Sequence, residues 1–521
     1  MLKKISKLLI VVVAAALCLT AFVGCNGGRP FIPIEGEERF DAGCLSEYDT
    51  DAWTLRDTPE LSGDLRITFF DGGFGGAWLQ EMADLFVQRH PDVTIHRTGL
   101  TGTFVNNMQA ELSGVPGTTA SDIYIGHGIE WQVLAGQGYI ANLNDLFEST
   151  VYNDEDGEPI TFYDRIAPAA RRTTQMRDRD GYIGNWQVPF VMGVGGLAYN
   201  VDMFDALEWQ VPTTTAELAR LANDIISHPA DIRPFEWSAP SQYLWDSIVF
   251  DWWAQLAGLE RELPTSIGRF NRYETFEQFN PNSGHWPELK TAWTEWYNLI
   301  ALNRSGWNAR ALQQGNRFAQ GHFARGEAAM IPAASYLVSE LKIAGFYEGA
   351  VDANRRLPNI RMMPTPFIAG ARTDTNGNPI RVSSIIEYNQ NMIVSTRGAG
   401  TEIAKEFLRF MAEIETSLIF PRHTSGALLA FRYDLVELYS NADSEWEKSI
   451  YEIMKNSLRF STWSDHPIYT RTSAGVWPNN HRYHDAANNS ATFTPTAVFA
   501  ERQEMARTNW RRWMQTAGVS S

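Results

Sequence analysis

From Leu65 the chain alternates apolar and polar side chains, Leu65-Arg66-Ile67-Thr68-Phe69, the period of a strand with one buried face. Asp71-Gly72-Gly73-Phe74-Gly75-Gly76 then breaks the alternation. Trp78, Leu79, Met82, Leu85 and Phe86 follow at helical spacing, and Pro91 ends that run because proline supplies no backbone N–H. Asp92-Val93-Thr94-Ile95 restarts a strand, residues 104–112 read as a helix, and Ser121-Asp122-Ile123-Tyr124-Ile125-Gly126 as another strand. Strand, helix, strand, helix, strand is the rhythm of an α/β fold, a parallel sheet covered by helices. In open sheets of this kind ligands sit beyond the carboxyl ends of the strands, which puts residues 71–76 and 126–130 at the expected mouth. A glycine turn before a helix can also cradle an anion on free amides. No Gly-x-x-x-x-Gly-Lys-Ser/Thr pattern accompanies it, so a ligand-approaching turn and a purely structural one both stand.

Ahead of this region, Lys3, Lys4 and Lys7 precede an apolar run over residues 8–23 that is short for a membrane span and ends at Gly24-Cys25. Residues 1–24 read as a secretory signal. Phe22-Val23-Gly24-Cys25 resembles the cleavage site of bacterial lipoproteins, which implies that Cys25 carries a diacylglycerol; Phe22 departs from the usual Leu. Gly27, Gly28, Pro30, Pro33 and the acids Glu35, Glu37, Glu38 and Asp41 make residues 25–60 a flexible tether. Of the three cysteines, Cys18 leaves with the signal and Cys25 is acylated, so Cys44 has no partner for an intrachain disulfide. Stability must then come from burial, which a chain of 521 residues can supply in two domains. The formal charge of −17 becomes −20 without the three signal lysines, which disfavours nucleic acid and anionic lipid as partners.

Further along, three signals occur in order. Trp186-Gln187-Val188-Pro189-Phe190 leads to Gly195-Gly196-Leu197-Ala198-Tyr199-Asn200-Val201-Asp202-Met203-Phe204; Val211-Pro212-Thr213-Thr214-Thr215-Ala216-Glu217-Leu218 reads as a helix start; and Phe323-Ala324-Arg325-Gly326-Glu327-Ala328-Ala329-Met330 runs on to Tyr336. This order and wording resemble the extracellular solute-binding proteins of family 1, the sugar-binding receptors of ABC importers. Thr215 or Ala216 stands where Trp is common there. The resemblance spans about residues 61–420. Gln390-Asn391-Met392-Ile393-Val394-Ser395 and the run 404–411 match that family's returning strand and helix. It implies a two-lobed, periplasmic-binding-protein-like fold of type II, each lobe a sheet flanked by helices, with the ligand cleft between lobes. On that pattern lobe 1 is 61–189 plus 383–430, and lobe 2 is 190–382 plus 431–521. The implied partners are a carbohydrate, the transmembrane permease subunits and, through the lipid, the membrane, with the receptor a monomer that needs no cofactor.

Sugar sites combine aromatic platforms with carboxylates and amides. Trp and Tyr number 18 each, an unusual balance. Trp293, Trp296, Tyr297 and Ile300 lie at helical spacing and are expected in the core. The maltose-binding branch of the family places a stacking Trp where Tyr336 stands, which makes Tyr336 the best platform candidate. Trp237, Tyr243 and Trp245 occupy a stretch where an aromatic is often offered, and Trp78 follows the glycine turn. Asp71 aligns with the polar turn after the first strand, as ligand acceptor or helix cap. After Ile125 the branch's aromatic is replaced by Gly126, with His127 and Trp131 nearby, and its acid beside the Val-Pro strand falls on Gly193; maltose itself is therefore in doubt. The same fold serving a peptide, a polyamine or a glycerol phosphoester, or a carbohydrate-active surface enzyme, are the alternatives.

For enzyme chemistry the chain has no Gly-x-Ser-x-Gly, His-Glu-x-x-His or Cys-x-x-Cys, and no enzymatic role is expected. His481-x-x-His484 with Asp485 is expected to be a loop rather than a metal site. Asp154-Glu155-Asp156-Gly157-Glu158 and Asp374-Thr375-Asn376-Gly377-Asn378 read as turns, since neither completes a twelve-residue calcium loop.

Overall fold

The computed structural model describes residues 60–153, 159–171, 174–177, 183–258, 286–386, 390–461 and 482–517. The signal, Cys25, Cys44, all of the tether but its last residue, the 154–158 turn and His481 lie outside them.

The first alternating run forms strand β1 (Gly63–Phe70), with Leu65, Ile67 and Phe69 buried. β1 lies parallel to β2 (Val93–Leu100) and β3 (Ile123–His127), as the strand–helix rhythm predicts. The helix between β1 and β2, Ala77–Arg89, buries Trp78, Leu79, Met82 and Phe86 and stops just before His90-Pro91. Leu85, counted on that face by spacing, is exposed instead. Asp122 fastens the sheet to the C-terminal half of the chain: its carboxylate accepts from the Arg66 amide and from the Gly400 amide, both at 2.7 Å.

Two short hairpins follow, β4 (Thr150–Asn153) with β5 (Pro159–Thr161) and β6 (Gln175–Arg177) with β7 (Ile183–Asn185). Then come β8 (Val188–Pro189) and β9 (Val191–Asn200), which are consecutive in sequence yet belong to different sheets. β9 is buried along its whole length and has no polar side chain but the Tyr199 hydroxyl and the terminal Asn200, as suits a strand covered on both faces. The remaining strands are β10 (Arg233–Phe235), β11 (Ala328–Ala334), β12 (Ile360–Met363), β13 (Val382–Ile386), β14 (Gln390–Val394), β15 (Leu428–Leu429) and β16 (Leu458–Ser461).

Among the described residues the first sheet has the order β2-β1-β3-β14-β8, and the second β10-β11-β9-β13-β16, with β12 and β15 also paired to β9. Among the described residues the chain passes between sheets three times, from β8 to β9, from β13 to β14 and from β14 to β15. This is the two-lobed α/β architecture expected from the sequence, each sheet flanked by helices.

Val211-Pro212 leads into a helix at Thr215–Ser227, started by a reciprocal capping box between Thr214 and Glu217. Beneath the second sheet Trp237, Trp245, Trp293, Trp296 and Trp307 form a contiguous core, into which Tyr483 inserts 4.4 Å from the Trp296 ring. Where the two sheets meet, Phe74, Trp78, Phe190, Tyr336 and Phe420 pack edge to face or tilted, at centroid separations between 5.1 and 6.0 Å. Residues 374–378 form the expected turn, with Asp374 accepting from the Asn376 and Asn378 amides. The loop expected around His484 is not found: Tyr483–Asn488 is a short helix, whose Asp485 pairs with Arg482. Among the described residues no helix is long and apolar enough to cross a membrane.

Candidate functional site

The first wall of the candidate site is the carboxyl edge of the first sheet. Parallel pairing of Phe69 with Ile125 sets Asp71 level with His127 on neighbouring strand ends. Asp71 is exposed, and its amide donates to the Leu100 carbonyl at 2.7 Å. The turn that follows needs glycine at Gly73 and Gly75, where φ is +62° and +66°. His127 is half-buried with its ring 4.1 Å from that of Phe70, edge-on, and burial lowers its pKa, which favours neutral imidazole. Gly126 has a steric reason: a Cβ there would stand 2.7 Å from Phe70 Cβ and 2.9 Å from the Phe104 ring. Phe104 fills the place that an aromatic at position 126 would need.

The second wall grows from β11. Its run Ala328–Ala334 is wholly buried, and Tyr336 caps the helix Leu337–Ile343 just beyond it. The Tyr336 ring packs edge to face on Phe74 at 5.7 Å, and only 8 % of the residue is exposed. Its hydroxyl lies 3.5 Å from that of Tyr243, at the outer limit of a hydrogen bond. Tyr243, on the 3-10 segment Ala239–Trp245, is 50 % exposed. The neighbouring Gln242 accepts from the His484 amide at 2.9 Å, and Ser238 donates to the Gln314 carbonyl at 2.7 Å, so this segment is held from both sides.

One helical turn after Tyr336, the Glu340 amide donates to the Tyr336 carbonyl, and the Glu340 carboxylate points at the glycine turn of the other wall. Its Oε1 lies 3.7 Å from where a Gly73 Cβ would stand. Gln320 Nε2 donates to Glu340 Oε2. Burial raises the pKa of Glu340, with the Gln320 hydrogen bond and the Arg317 charge opposing. The turn, Tyr243, Tyr336, Glu340 and Gln320 therefore meet along one seam between the sheets.

Of the aromatic candidates, Tyr243 is half exposed and Tyr336 is buried. Trp78, Trp237 and Trp245 are core side chains with at most 1 % of their surface exposed. Trp78 donates to the Gly75 carbonyl at 2.9 Å, bracing the turn from below, and Trp237 and Trp245 pack on each other and on Trp307 and Trp296. Their interior positions give them no open face for a ligand in this structure. Glu340 and Gln320 were not foreseen from sequence. The available signal was the spacing of Glu340 four residues after Tyr336, which puts both on one helix face.

The family profile described as bacterial extracellular solute-binding protein matches residues 75–416, well over half of the chain. The chain belongs to that family. Its members are extracytoplasmic receptors for solutes rather than enzymes. Solved structures with the same fold include RafE from Streptococcus pneumoniae in its apo form, with a TM-score of 0.57 and 14 % identity over 87 % of this chain and 99 % of that one. The GacH receptor of Streptomyces glaucescens, solved unliganded and with acarbose, has a TM-score of 0.59 and 17 % identity over 88 % and 99 %. A chitin oligosaccharide binding protein has a TM-score of 0.56 and 16 % identity over 86 % and 98 %. Comparison with curated proteins by sequence gives no match.

Proposed function

We propose that this protein is the substrate-binding lipoprotein of an ABC importer, anchored through Cys25, that captures an oligosaccharide and delivers it to membrane permease subunits. The observation that carries the carbohydrate reading is a seam that holds both a half-exposed aromatic, Tyr243, in hydroxyl contact with Tyr336, and a carboxylate, Glu340, against the glycine turn that follows Asp71. A pyranose offers an apolar face to a ring and hydroxyl donors to carboxylates. A phosphoester ligand would call for clustered Arg or Lys, whereas the charged side chain that meets the glycine turn is a carboxylate. Similar folds have been solved with raffinose, acarbose and cycloalternan. We assign lobe 1 to 61–189 plus 383–430 and lobe 2 to 190–382 plus 431–521, with β13 and β15, at the two ends of the 383–430 segment, paired to β9 in the second sheet.

Such a receptor breaks no bond. Ligand contacts from both walls are available together only when the lobes are shut, so binding shifts the population toward the closed form. The test is a thermal-shift screen of the detergent-purified chain against oligosaccharides, with peptides, polyamines and phosphoesters as controls. A ligand that binds only the native state raises the melting temperature. A shift from a control and from no saccharide would replace the ligand class, and turnover of an oligosaccharide would replace receptor by enzyme. Membrane retention lost on Cys25→Ser tests the anchor.

A further inference from the structure

The seam described above is lined chiefly by aromatic rings, and Gln320 and Glu340 interrupt it. Gln320 is 3 % exposed, and its Oε1 accepts no hydrogen bond among the described residues. With Glu340 ionised, the amide must turn its N–H toward the carboxylate, as it does here, and so presents Oε1 as an acceptor. Glu340 Oε1 is the second acceptor, directed at Gly73. The absence of a side chain at Gly73 keeps the approach to that oxygen clear on the side of the first sheet. Tyr243, whose hydroxyl lies 3.5 Å from that of Tyr336, adds a half-exposed aromatic side chain on the same wall.

We propose that Gln320 and Glu340 form a specificity contact that takes donors from adjacent hydroxyls of the bound saccharide. A ligand with those hydroxyls free is accepted, and one blocked there is rejected, because two acceptors would be left buried without donors. The proposal rests on the oligosaccharide reading above and names residues beyond it. Burial holds the Glu340 pKa above the ordinary carboxylate range. Of the ionisable groups on the surrounding elements, among them Asp71, Arg317, His322, Lys342, Arg422 and His423, Arg317 is the one whose charge acts on it. A ligand donating to the carboxylate favours its ionised form, so binding releases a proton and weakens as pH falls.

The experiment is titration calorimetry of the full chain with raffinose, maltotriose, xylotriose and triacetylchitotriose, comparing wild type, Glu340→Gln, Glu340→Asp and Tyr243→Ala. For the probe that binds wild type, Glu340→Gln should weaken binding about 10–100-fold, and the decline of affinity as pH falls through the raised Glu340 pKa should flatten. Glu340→Asp should keep the pH dependence, and it decides the matter if Glu340→Gln does not fold. O-methylated derivatives of the probe should include one that weakens wild type but not Glu340→Gln. Unchanged affinity and pH profile in a folded Glu340→Gln, with binding lost in Tyr243→Ala, would overturn the proposal and leave the receptor reading standing. Binding of none of the four saccharides to wild type would overturn both.

Discussion

Tyr243 and Tyr336 share a hydroxyl contact but should respond to truncation in opposite ways. A tyrosine side chain presents roughly 200 Å². Half of Tyr243 is exposed, so a sugar laid on it can cover roughly 100 Å², which at about 25 cal/mol per Å² bounds its contribution near 2.5 kcal/mol. Tyr243→Ala should therefore weaken saccharide binding by up to about 60-fold and leave folding stability within about 0.5 kcal/mol. Tyr336 has only 8 % of its surface left to cover, and its ring is packed on Phe74 inside the hydrophobic core. Tyr336→Ala should cost about 3–5 kcal/mol of stability through the cavity it opens. The measurements are calorimetric affinity and urea unfolding of each variant. A Tyr243→Ala protein that binds like wild type, or a Tyr336→Ala protein of wild-type stability that no longer binds, would refute this division of roles.

Three further outcomes follow from the packing. Glu413 is fully buried and takes a bidentate pair from Arg89 at 3.0 Å to each oxygen, so Glu413→Ala strands a cation and should lower unfolding free energy by about 3–5 kcal/mol in urea titration. Gly126→Ala drives a Cβ into Phe70 and Phe104 and should cost about 1–3 kcal/mol, read as a lower melting temperature. Burial raises the pKa of Glu236, which bonds His322 at 3.1 Å, so the folded state binds this proton more tightly than the unfolded chain does. Its contribution is present below the unfolded value near 4.5 and is lost as pH rises through the raised one. Glu236→Gln should flatten that part of the stability-versus-pH curve, and an unchanged slope in melting scans would count against the assignment.

Much of the fold was legible along the chain because its signals are local. The two-residue alternation of Leu65, Ile67 and Phe69, the helical spacing of Trp78, Leu79, Met82 and Phe86, and the capping residues Thr214 and Glu217 depend on neighbours within a turn or two. Periodicity failed at Leu85, where a residue near the edge of the apolar stripe is exposed because no element covers it. Turn chemistry misled at Tyr483, where Pro478, Asn479 and Asn480 favour a loop, because the helix there is held by burial against Trp293 and Trp296, contacts nearly 190 residues distant in sequence.

The expected site residues are spread by the structure over different environments: Tyr336 stands after β11 and Asp71 at the glycine turn, while Trp78, Trp237 and Trp245 lie in the core. Sequence by itself determined the α/β class through the strand and helix periodicities, and the family through ordered motifs. The tertiary structure decided which aromatic keeps an open face, because exposure depends on what packs from elsewhere: Trp237 and Trp245 are enclosed by Trp307 and Trp296, Tyr336 is covered by Phe74, and Tyr243 is left half uncovered. It also brought Glu340 against Gly73 across more than 260 residues, a distance over which no periodic pattern carries information.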